Sequence, residues 1–455
     1  MNNSASTIII PVETQVRELD AKLLLACVAA ERGFPVIIGS RAFVHYKMSA
    51  LPRGVYLAKS MRKLSIRMFE ILRQLGHEIV AWDEEGLMRW PDAEYYRSRL
   101  SPVTMGQISH LIAWGPDNAR VFQEYPGYGG TPIHITGNPR IDLLRGELRD
   151  YYQPEVAKIN DRFGEFVMIN TNFGLVNHFY SELGALKKAV EAQDSGSVNP
   201  YDAAKGRHKL DLFNRFLEML PPLCAALGDT TIVLRPHPSE NHEPYAAIAD
   251  RHRNLKIAND GGISPWLMAT RALIANGCTT MIEAAVLGTP TISYQPVVSA
   301  AYDDDLPNSL SHRTFAIDEL CGKVRSIVGG QLGAIEYGAR RKIMDRHIAA
   351  LDGALAAERM VDALEAGAYH QRRPDAAPFG KYARGWIHNT LRTAVKQVNM
   401  RRPGHRNNLR FHAHRFPDIA VDEIMERIER MGTLLKRFGS IRVEPYSKHI
   451  FSIRG

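Results

Sequence analysis

Short apolar runs typical of strands alternate with amphipathic runs typical of helices along most of the chain, and this alternation limits the folds open to it. The run "STIIIPV" has the pattern of a buried strand, "RELDAKLLLACVAAERG" that of a helix ending at Gly33, and "FPVIIGS" that of the next strand. Strands joined by crossover helices pair in parallel, and helices cover both faces of such sheets. The sequence therefore predicts an α/β fold.

The alternation occurs in two separate series, which predicts two α/β domains. The first series includes "HEIVAW", "HLIAWG" and "PIHITGNP", and the second includes "EFVMINTN", "TTIVLRPHP", "RALIANG" and "TPTISYQ". A chain of 455 residues has room for two or three domains. We expect Rossmann-like domains at 1–150 and 151–335, with a cleft between them, and a helical, basic extension at 336–455.

Composition points to acidic partners and a reducing compartment. The formal net charge is +8, which favours nucleotides, anionic sugars, a membrane surface or nucleic acid as partners. The four cysteines lie far apart without metal-type spacing, as expected for a reduced chain. The opening "MNNSASTIIIPVETQVRELD" has neither the pattern of a signal peptide nor that of a spanning helix. We therefore expect a cytoplasmic protein, with possible peripheral contact at the inner face of the membrane.

The loop "LRPHPSEN" follows a predicted strand of the second domain. Arg235 and His237 can donate hydrogen bonds to a phosphate, and the adjacent prolines, including Pro238, fix the backbone that carries the imidazole. The alternative is a proline-rich turn with one surface histidine.

A second pattern, "ANGCTTMIEAAVLG", places Gly277, Thr279 and Thr280 between a strand and a helix. The amides of the first helical turn and the two hydroxyls would form a phosphate cradle, and Glu283 would accept hydrogen bonds from a ribose or base. The alternatives are an ordinary helix cap and a carboxylate that complements the helix dipole. Together, the two patterns indicate binding of a nucleoside monophosphate or diphosphate.

Three adjacent acids, Asp83, Glu84 and Glu85, follow a predicted strand in "VAWDEEGLMRW". Adjacent carboxylates repel one another and raise one another's pKa; the alternative interpretation is a solvent-exposed acidic turn. No motif indicates a metal site, and the acids of "YDDDLP" are interpreted as a solvated loop. "HITGNPRIDLL" is interpreted as a turn in which Arg140 and Asp142 are structural.

The ordered set Glu84-Glu85-Gly86, His237-Pro238 and Thr279-Thr280 resembles the motifs of bacterial sialyltransferases, and "RPHP" is similar to loops of capsule and lipopolysaccharide Kdo transferases. "IIIPVETQVRELDAKLLLA", "WDEEGL" and "HAHRFPDI" resemble the surface carbohydrate biosynthesis proteins of bacterial polysaccharide clusters. The resemblance spans nearly the whole chain and implies a glycosyltransferase of GT-B architecture, with two Rossmann-like domains facing a central cleft and a helical C-terminal extension. Here a Thr-Thr pair replaces the usual Ser-Ser.

The resemblance implies a CMP-activated ulosonic acid as donor, either Kdo or a sialic-like nonulosonic acid, and a glycan as acceptor. An acid of the triplet would be the general base, and which of the three serves stays open. His237, assisted by Arg235, Thr279 and Thr280, would contact the departing phosphate, with no metal or cofactor. The outcome at the anomeric centre stays open as well.

Two alternatives remain. One is a UDP-sugar glycosyltransferase or 2-epimerase of the same architecture, which shares a "TGNP"-like turn; the histidine-proline loop also resembles CDP-glycerol phosphotransferases. The other is a non-catalytic protein that binds nucleic acid or membrane through the basic tail "MRRPGHRNNLRFHAHRFP". We expect this tail to form an acceptor-side or membrane-proximal surface rather than a nucleic-acid site.

Overall fold

The computed structural model describes residues 5–88, 91–179, 187–188, 190, 199–402, 405 and 408–455. The strands are β1 (Thr7–Val12), β2 (Val36–Ser40), β3 (Gly54–Ala58), β4 (Glu78–Ala81), β5 (His110–Ala113), β6 (Ile133–Ile135), β7 (Phe166–Asn170), β8 (Thr231–Arg235), β9 (Leu255–Ile257), β10 (Ala272–Ala275), β11 (Thr291–Tyr294), β12 (His312–Thr314), β13 (Arg442–Ser447) and β14 (Ile450–Arg454). The helices up to residue 250 are α1 (Gln15–Glu31), α2 (Arg41–Lys47), α3 (Ile66–Gln74), α4 (Asp92–Arg99), α5 (Pro102–Met105), α6 (Pro116–Glu124), α7 (Pro139–Asp142), α8 (Gln153–Phe163), α9 (Pro200–Leu227) and α10 (Glu243–Ala249). The later helices are α11 (Ile263–Ala269), α12 (Thr279–Leu287), α13 (Asp305–Ser309), α14 (Ile317–Val328), α15 (Tyr337–His347), α16 (Ala356–Ala366), α17 (Phe379–Met400), α18 (Leu409–Arg415) and α19 (Val421–Leu435).

The chain forms two compact units. Unit 1 consists of the described residues within Met1–Leu87, Asp92–Tyr151 and Asp345–Gly455, and unit 2 of those within Met88–Pro91 and Tyr152–Met344. The domain boundaries expected from the sequence put everything after residue 335 in a separate extension, whereas here the chain from Asp345 onward belongs to unit 1.

Unit 1 is organised around an eight-stranded sheet of order β13-β14-β2-β1-β3-β4-β5-β6. The six strands from β2 to β6 are parallel, and β1 in their midst is buried along its whole length. Such full burial requires a continuous apolar strand, which is why "TIIIPV" lacks the alternation of a half-exposed strand. The predicted strands of this domain are present. Strand β3, which lies between β1 and β4 in the sheet, was not predicted from the sequence.

The last two strands complete this sheet from the far end of the chain. β14 pairs antiparallel with β2, and β13 pairs antiparallel with β14. Helix α19 is amphipathic: it buries Ile424, Ile428 and Met431 and contacts α1 and β13, so it packs against the body of unit 1. The C-terminal region is therefore mainly helical, as expected, but it ends in a strand pair that the sequence interpretation did not include.

Unit 2 is organised around a six-stranded parallel sheet of order β12-β11-β10-β7-β8-β9. Counted within the unit and read from β9, this is the 3-2-1-4-5-6 order of Rossmann folds. Separate apolar clusters cover its two faces; one includes Phe216 and Leu234, and the other includes Trp266 and Val233. The expected α/β class with two Rossmann-like units is confirmed.

Among the helices that the structure describes, none is both long enough and apolar enough to cross a bilayer.

Candidate functional site

The strand order of unit 2 reverses between β7 and β10. Hydrogen bonds join the loops that follow the carboxyl ends of these two strands. Asn170, at the end of β7, donates a hydrogen bond from Nδ2 to Thr280 Oγ1 (3.0 Å). Asn172 donates to the carbonyl oxygens of Asn276 (3.2 Å) and Gly277 (3.0 Å). In open α/β sheets, ligands bind at this position. The structure thus places the predicted phosphate cradle at the point where a Rossmann fold binds its ligand.

Gly277 and the threonine pair form the start of α12. Gly277 has φ +51°, a left-handed conformation that favours glycine. Thr279 and Thr280 are the first two helical residues and are half-buried, whereas Glu283 is buried one turn later. The backbone N–H groups of this first turn and the threonine hydroxyls are the donors that an anion requires.

His237 is exposed on the loop after β8, next to β7 in the sheet. Its Nδ1 accepts a hydrogen bond from the backbone N–H of Ser239 (3.2 Å) and lies 2.8 Å from Ser239 Oγ. An accepting Nδ1 places the proton of the neutral imidazole on Nε2. Gly174 packs against this loop so closely that a Cβ atom would lie 2.1 Å from Ser239 Oγ.

Glu240 anchors the His237 loop, and the sequence analysis did not identify it. The side chain is 2% exposed. Its carboxylate accepts hydrogen bonds from the Thr171 hydroxyl (2.9 Å), the backbone N–H groups of Phe173 (2.9 Å) and His237 (3.1 Å), and the Tyr245 phenol (2.5 Å). Burial raises its pKa, although these donors favour the charged form. One buried carboxyl thus joins the loops after β7 and β8; the signal in the sequence was an acid three residues after the histidine.

Arg235 is placed differently from the expected phosphate contact. Its guanidinium donates to the carbonyl oxygens of Asp260 (3.0 Å) and Gly261 (3.4 Å) and stacks on Trp266 with 4.3 Å to the ring centroid. Arg235 is buried, whereas Pro238 of the same loop is exposed. These contacts give Arg235 a structural role in holding the loop before α11.

Asp304 lies beside Gly277, so the interpretation of "YDDDLP" as a solvated loop was wrong for two of its acids. Asp304 is 3% exposed, and its Oδ2 would be 3.3 Å from a Cβ atom at position 277. Burial raises the pKa of Asp304 to about 7, although the positive charges of Lys209 and Lys205 on α9 act to lower it. Asp303 is also mostly buried and lies 2.8 Å from His208 Nε2. A carboxyl that titrates near neutral pH therefore lies next to the candidate cradle.

The three acids of unit 1 are not exposed as a group, and burial, with an additional contribution from the charge of Glu85, raises the pKa of Asp83 to about 7. Asp83 is buried and forms a bidentate ion pair with Arg99. It also accepts a hydrogen bond from the Tyr95 hydroxyl (2.9 Å). Glu85 is partly exposed and pairs with Arg17 (3.0 Å). Burial would raise the pKa of Glu85, but nearby positive charges, of which Arg17 is the strongest, lower it below its ordinary value.

Glu84 is the acid of the triplet that lines a small pocket. Its Oε2 accepts a hydrogen bond from Trp82 Nε1 (2.9 Å), and Arg140 Nη1 lies 3.7 Å from Oε1. Asn138 contributes to the same pocket and, as the cap of α7, accepts a hydrogen bond from the backbone of Arg140. The pocket lining is Glu18, Ala21, Lys22, Leu25, Trp82, Glu84, Asn138, Pro139 and Arg140. Arg140, interpreted from sequence as a turn residue, thus faces a candidate base.

A charged cluster occupies the point in unit 1 where the strand order reverses, between β1 and β3. Lys59, directly after β3, pairs with Glu13 (2.9 Å) and with Glu18 of α1. Lys22 donates to Glu18 (2.7 Å) and to the carbonyl oxygen of Pro11 (2.7 Å). Burial would raise the pKa of Glu13, but Lys59, Arg41 and Arg415 hold it at about 2. The acids and lysine of "VETQVRELDAK" gave a local signal for this cluster, but Lys59 had none.

Asp142 has the structural role expected from the sequence. It is fully buried, and the backbone N–H groups of Ala356 (2.8 Å) and Ala357 (2.9 Å) at the start of α16 donate to its carboxyl group. Burial raises its pKa to about 7.

Part of the basic tail packs on unit 1, and 403–404 and 406–407 lie outside the described residues. Phe416 is buried, and Arg415 pairs with Glu13 (2.6 Å). Among the described residues, no cluster of three His, Cys, Asp or Glu side chains has the arrangement of a metal site.

Comparison with solved structures identifies proteins of similar fold. The chain is similar to a wall teichoic acid polymerase, TagF, solved with CDPG, with TM-score 0.52 and 12% identity over 80% of this chain and 88% of that one. It is also similar to a UDP-N-acetylglucosamine 2-epimerase, with TM-score 0.51 and 10% identity over 83% of this chain and 99% of that one. No family model matches the chain, and no curated protein matches it in sequence. The polypeptide therefore has the GT-B fold of these two proteins.

Proposed function

We propose that this chain is a nucleotide-sugar enzyme, a glycosyltransferase or a 2-epimerase, that binds a UDP-activated sugar through unit 2. One observation carries the proposal: two loops are joined by a hydrogen bond where the strand order reverses, between β7 and β10. Asn170 donates this hydrogen bond to Thr280, and Gly277, with a left-handed backbone, lies just before α12. A diphosphate at that position would accept hydrogen bonds from the amides of the turn and from the threonine hydroxyls.

The name of one similar enzyme, a UDP-N-acetylglucosamine 2-epimerase, supports this donor class. The other enzyme is solved with CDPG, which supports a nucleotide-linked donor but not uridine in particular. Neither name includes a CMP-linked ulosonic acid, so the donor expected from the sequence resemblance has no support here, and the UDP-sugar alternative fits better. We propose a surface glycan or its precursor as the acceptor if the reaction is a transfer.

For the chemistry, we propose Glu84 as the general base and His237 as a donor to the phosphate. Both oxygens of Asp83 are engaged by Arg99 and Tyr95, and Glu85 pairs with Arg17, whereas Glu84 is the acid of the triplet that lines the pocket. Every phosphate donor in this proposal belongs to the protein, so we expect nucleotide binding to be unchanged by a metal chelator.

Thermal unfolding with UDP, UMP, CDP and CMP tests the donor class. A ligand present at a hundredfold excess over its dissociation constant adds about 2.7 kcal/mol to the free energy of unfolding. We expect UDP to stabilise the chain most, and expect the double variant Thr279→Val/Thr280→Val to bind UDP roughly tenfold more weakly, since loss of hydrogen bonds to a charged group costs about 1.5–3 kcal/mol. Thr433→Val, which removes an exposed hydroxyl in unit 1, is the control.

Stabilisation by CMP alone would return the donor to a CMP-ulosonic acid. Stabilisation by none of the four nucleotides would contradict the proposal and favour the non-catalytic alternative.

A further inference from the structure

Helix α17 packs on unit 1 through a face with little apolar surface. Its buried residues are Gly385 and Asn389. A Cβ atom at Gly385 would lie 2.8 Å from the Cβ of Gln74, so this helix and α3 are in close contact. His388 Nδ1 lies 3.0 Å from Gln74 Oε1, and Asn389 Nδ2 donates to Ser49 Oγ (3.4 Å). The contact with the body is thus made by glycine and polar side chains.

The apolar residues of the same helix face solvent. Ile387, Leu391, Val395 and Val398 follow one another at intervals of three or four residues, so they form one stripe. The exposed fractions are 85% for Phe379, 41% for Tyr382, 49% for Trp386, 50% for Ile387, 61% for Leu391, 60% for Val395 and 53% for Val398. An amphipathic helix that packs on its own domain normally buries such a stripe, so this arrangement marks a surface that contacts something else.

The charge of this region identifies the partner. The sequence from 376 to 417 contains nine Lys or Arg residues and no Asp or Glu. Lys381 and Arg384 are exposed on α17, and Arg401 and Arg402 are exposed directly after it. An apolar stripe with a Trp, flanked by cations and without acids, is the pattern of a helix that lies in the interface of an anionic bilayer.

We propose that α17 is a membrane-surface helix, with Trp386, Ile387 and Leu391 inserted at the level of the lipid headgroups and the flanking cations in contact with anionic lipid phosphates. A second copy of the chain fits this surface poorly. A two-fold contact of α17 with itself would bring the cations of both copies together without acids to oppose them. The proposal does not depend on the proposed function, because no nucleotide-site residue lies on this helix.

Sedimentation of the full chain with vesicles tests the proposal. We expect binding to phosphatidylcholine vesicles that contain phosphatidylglycerol, at least tenfold weaker binding to pure phosphatidylcholine, and a decrease in binding as salt is raised. The triple variant Trp386→Ser/Ile387→Ser/Leu391→Ser should lose at least tenfold in affinity for the anionic vesicles. Ile135→Ser is the control, since Ile135 is 45% exposed on β6, an edge strand of the unit 1 sheet. The triple variant should keep its circular dichroism and unfolding temperature, which shows that it is folded.

Three outcomes would overturn the inference. The first is failure of the wild-type chain to sediment with anionic vesicles, and the second is equal sedimentation of the triple variant and the wild type. The third is a dimer, seen by light scattering, that the triple variant converts to a monomer, which would assign the helix to contact between copies.

Discussion

At the scale of single residues, the three adjacent acids at 83–85 have the same functional group but different tertiary partners. Asp83 is held by Arg99, Glu85 by Arg17, and Glu84 lines the pocket with Arg140. The sequence interpretation assumed that crowding raises the pKa of these carboxyls. Burial, with an additional contribution from the charge of Glu85, raises the pKa of Asp83 to about 7. Burial would also raise the pKa of Glu85, but Arg17 lowers it. The pocket distinguishes Glu84 from the other two acids.

Exchange of each glutamate for glutamine separates these roles. We expect Glu84→Gln to slow turnover of the nucleotide sugar at least a hundredfold, because a general base contributes about 10²–10⁴-fold. Glu85→Gln should slow it only a few-fold, and neither variant should change the dissociation constant for UDP. The rate of UDP release from the donor and the UDP-induced thermal shift measure the two effects. Equal losses of turnover would show that Glu84 has no special role.

Asp304 predicts a pH dependence of stability. The pKa of Asp304 is about 7 in the folded chain, compared with an ordinary value of 3.8. As pH rises, the unfolded chain therefore loses this proton at a lower pH than the folded chain does. The free energy of unfolding consequently falls as pH rises between these two values. Three pKa units correspond to at most about 4 kcal/mol. We expect Asp304→Asn to gain stability relative to the wild type from pH about 4 to about 8, as measured by urea unfolding. Asp250→Asn, at an exposed acid elsewhere in unit 2, is the control. Parallel profiles for the wild type and Asp304→Asn would contradict the assignment.

At the scale of elements, the loops at the carboxyl edge of the second sheet depend on one anchor. Glu240 accepts hydrogen bonds from groups on two loops, and the backbone N–H of His237 is one of the donors. His237 and Pro238 of this loop are exposed, so we expect the conformation of the loop to depend on this buried carboxylate.

We expect Glu240→Gln to weaken UDP binding about tenfold and to lower the free energy of unfolding by roughly 1–3 kcal/mol, because an amide nitrogen would face groups that donate. Calorimetric titration and urea unfolding provide the two measurements. Glu243→Gln, at an exposed acid of the same segment, should leave both unchanged. Unchanged UDP affinity in the Glu240 variant would show that the loop is held by other contacts or does not contribute to the site.

At the scale of the whole molecule, the two units have separate apolar cores, and the chain returns to the first sheet to complete it. Ile453 of β14 is fully buried and pairs with Val36 of β2. Ile274 of β10 is equally buried in the core of unit 2.

This division predicts separable unfolding. Ile453→Ala should lower the free energy of unfolding of unit 1 by about 2–5 kcal/mol, whereas UDP should raise the transition of unit 2. In scanning calorimetry, we expect Ile453→Ala to shift one transition and Ile274→Ala the other. A single transition that both variants shift equally would show that the two units unfold as one.

The sequence by itself determined the α/β class and the positions of most strands, because fully buried parallel strands require continuous apolar runs such as those of β1 and β7. It also located the turn of Gly277, Thr279 and Thr280, since a glycine and a helix start are local features. The order of strands and the pairing of β14 with β2 were decided by contacts between segments far apart in the chain.

The side-chain partners were likewise decided by tertiary structure. The sequence gives the charge of Arg235 and of the 83–85 acids but not the direction in which each side chain points. The fold turns Arg235 onto Trp266, buries Asp304 beside Gly277 and brings Arg99 to Asp83. Local patterns set secondary structure because apolar periodicity acts over a few residues, whereas an ionisable group's partners and burial depend on which distant segments pack around it.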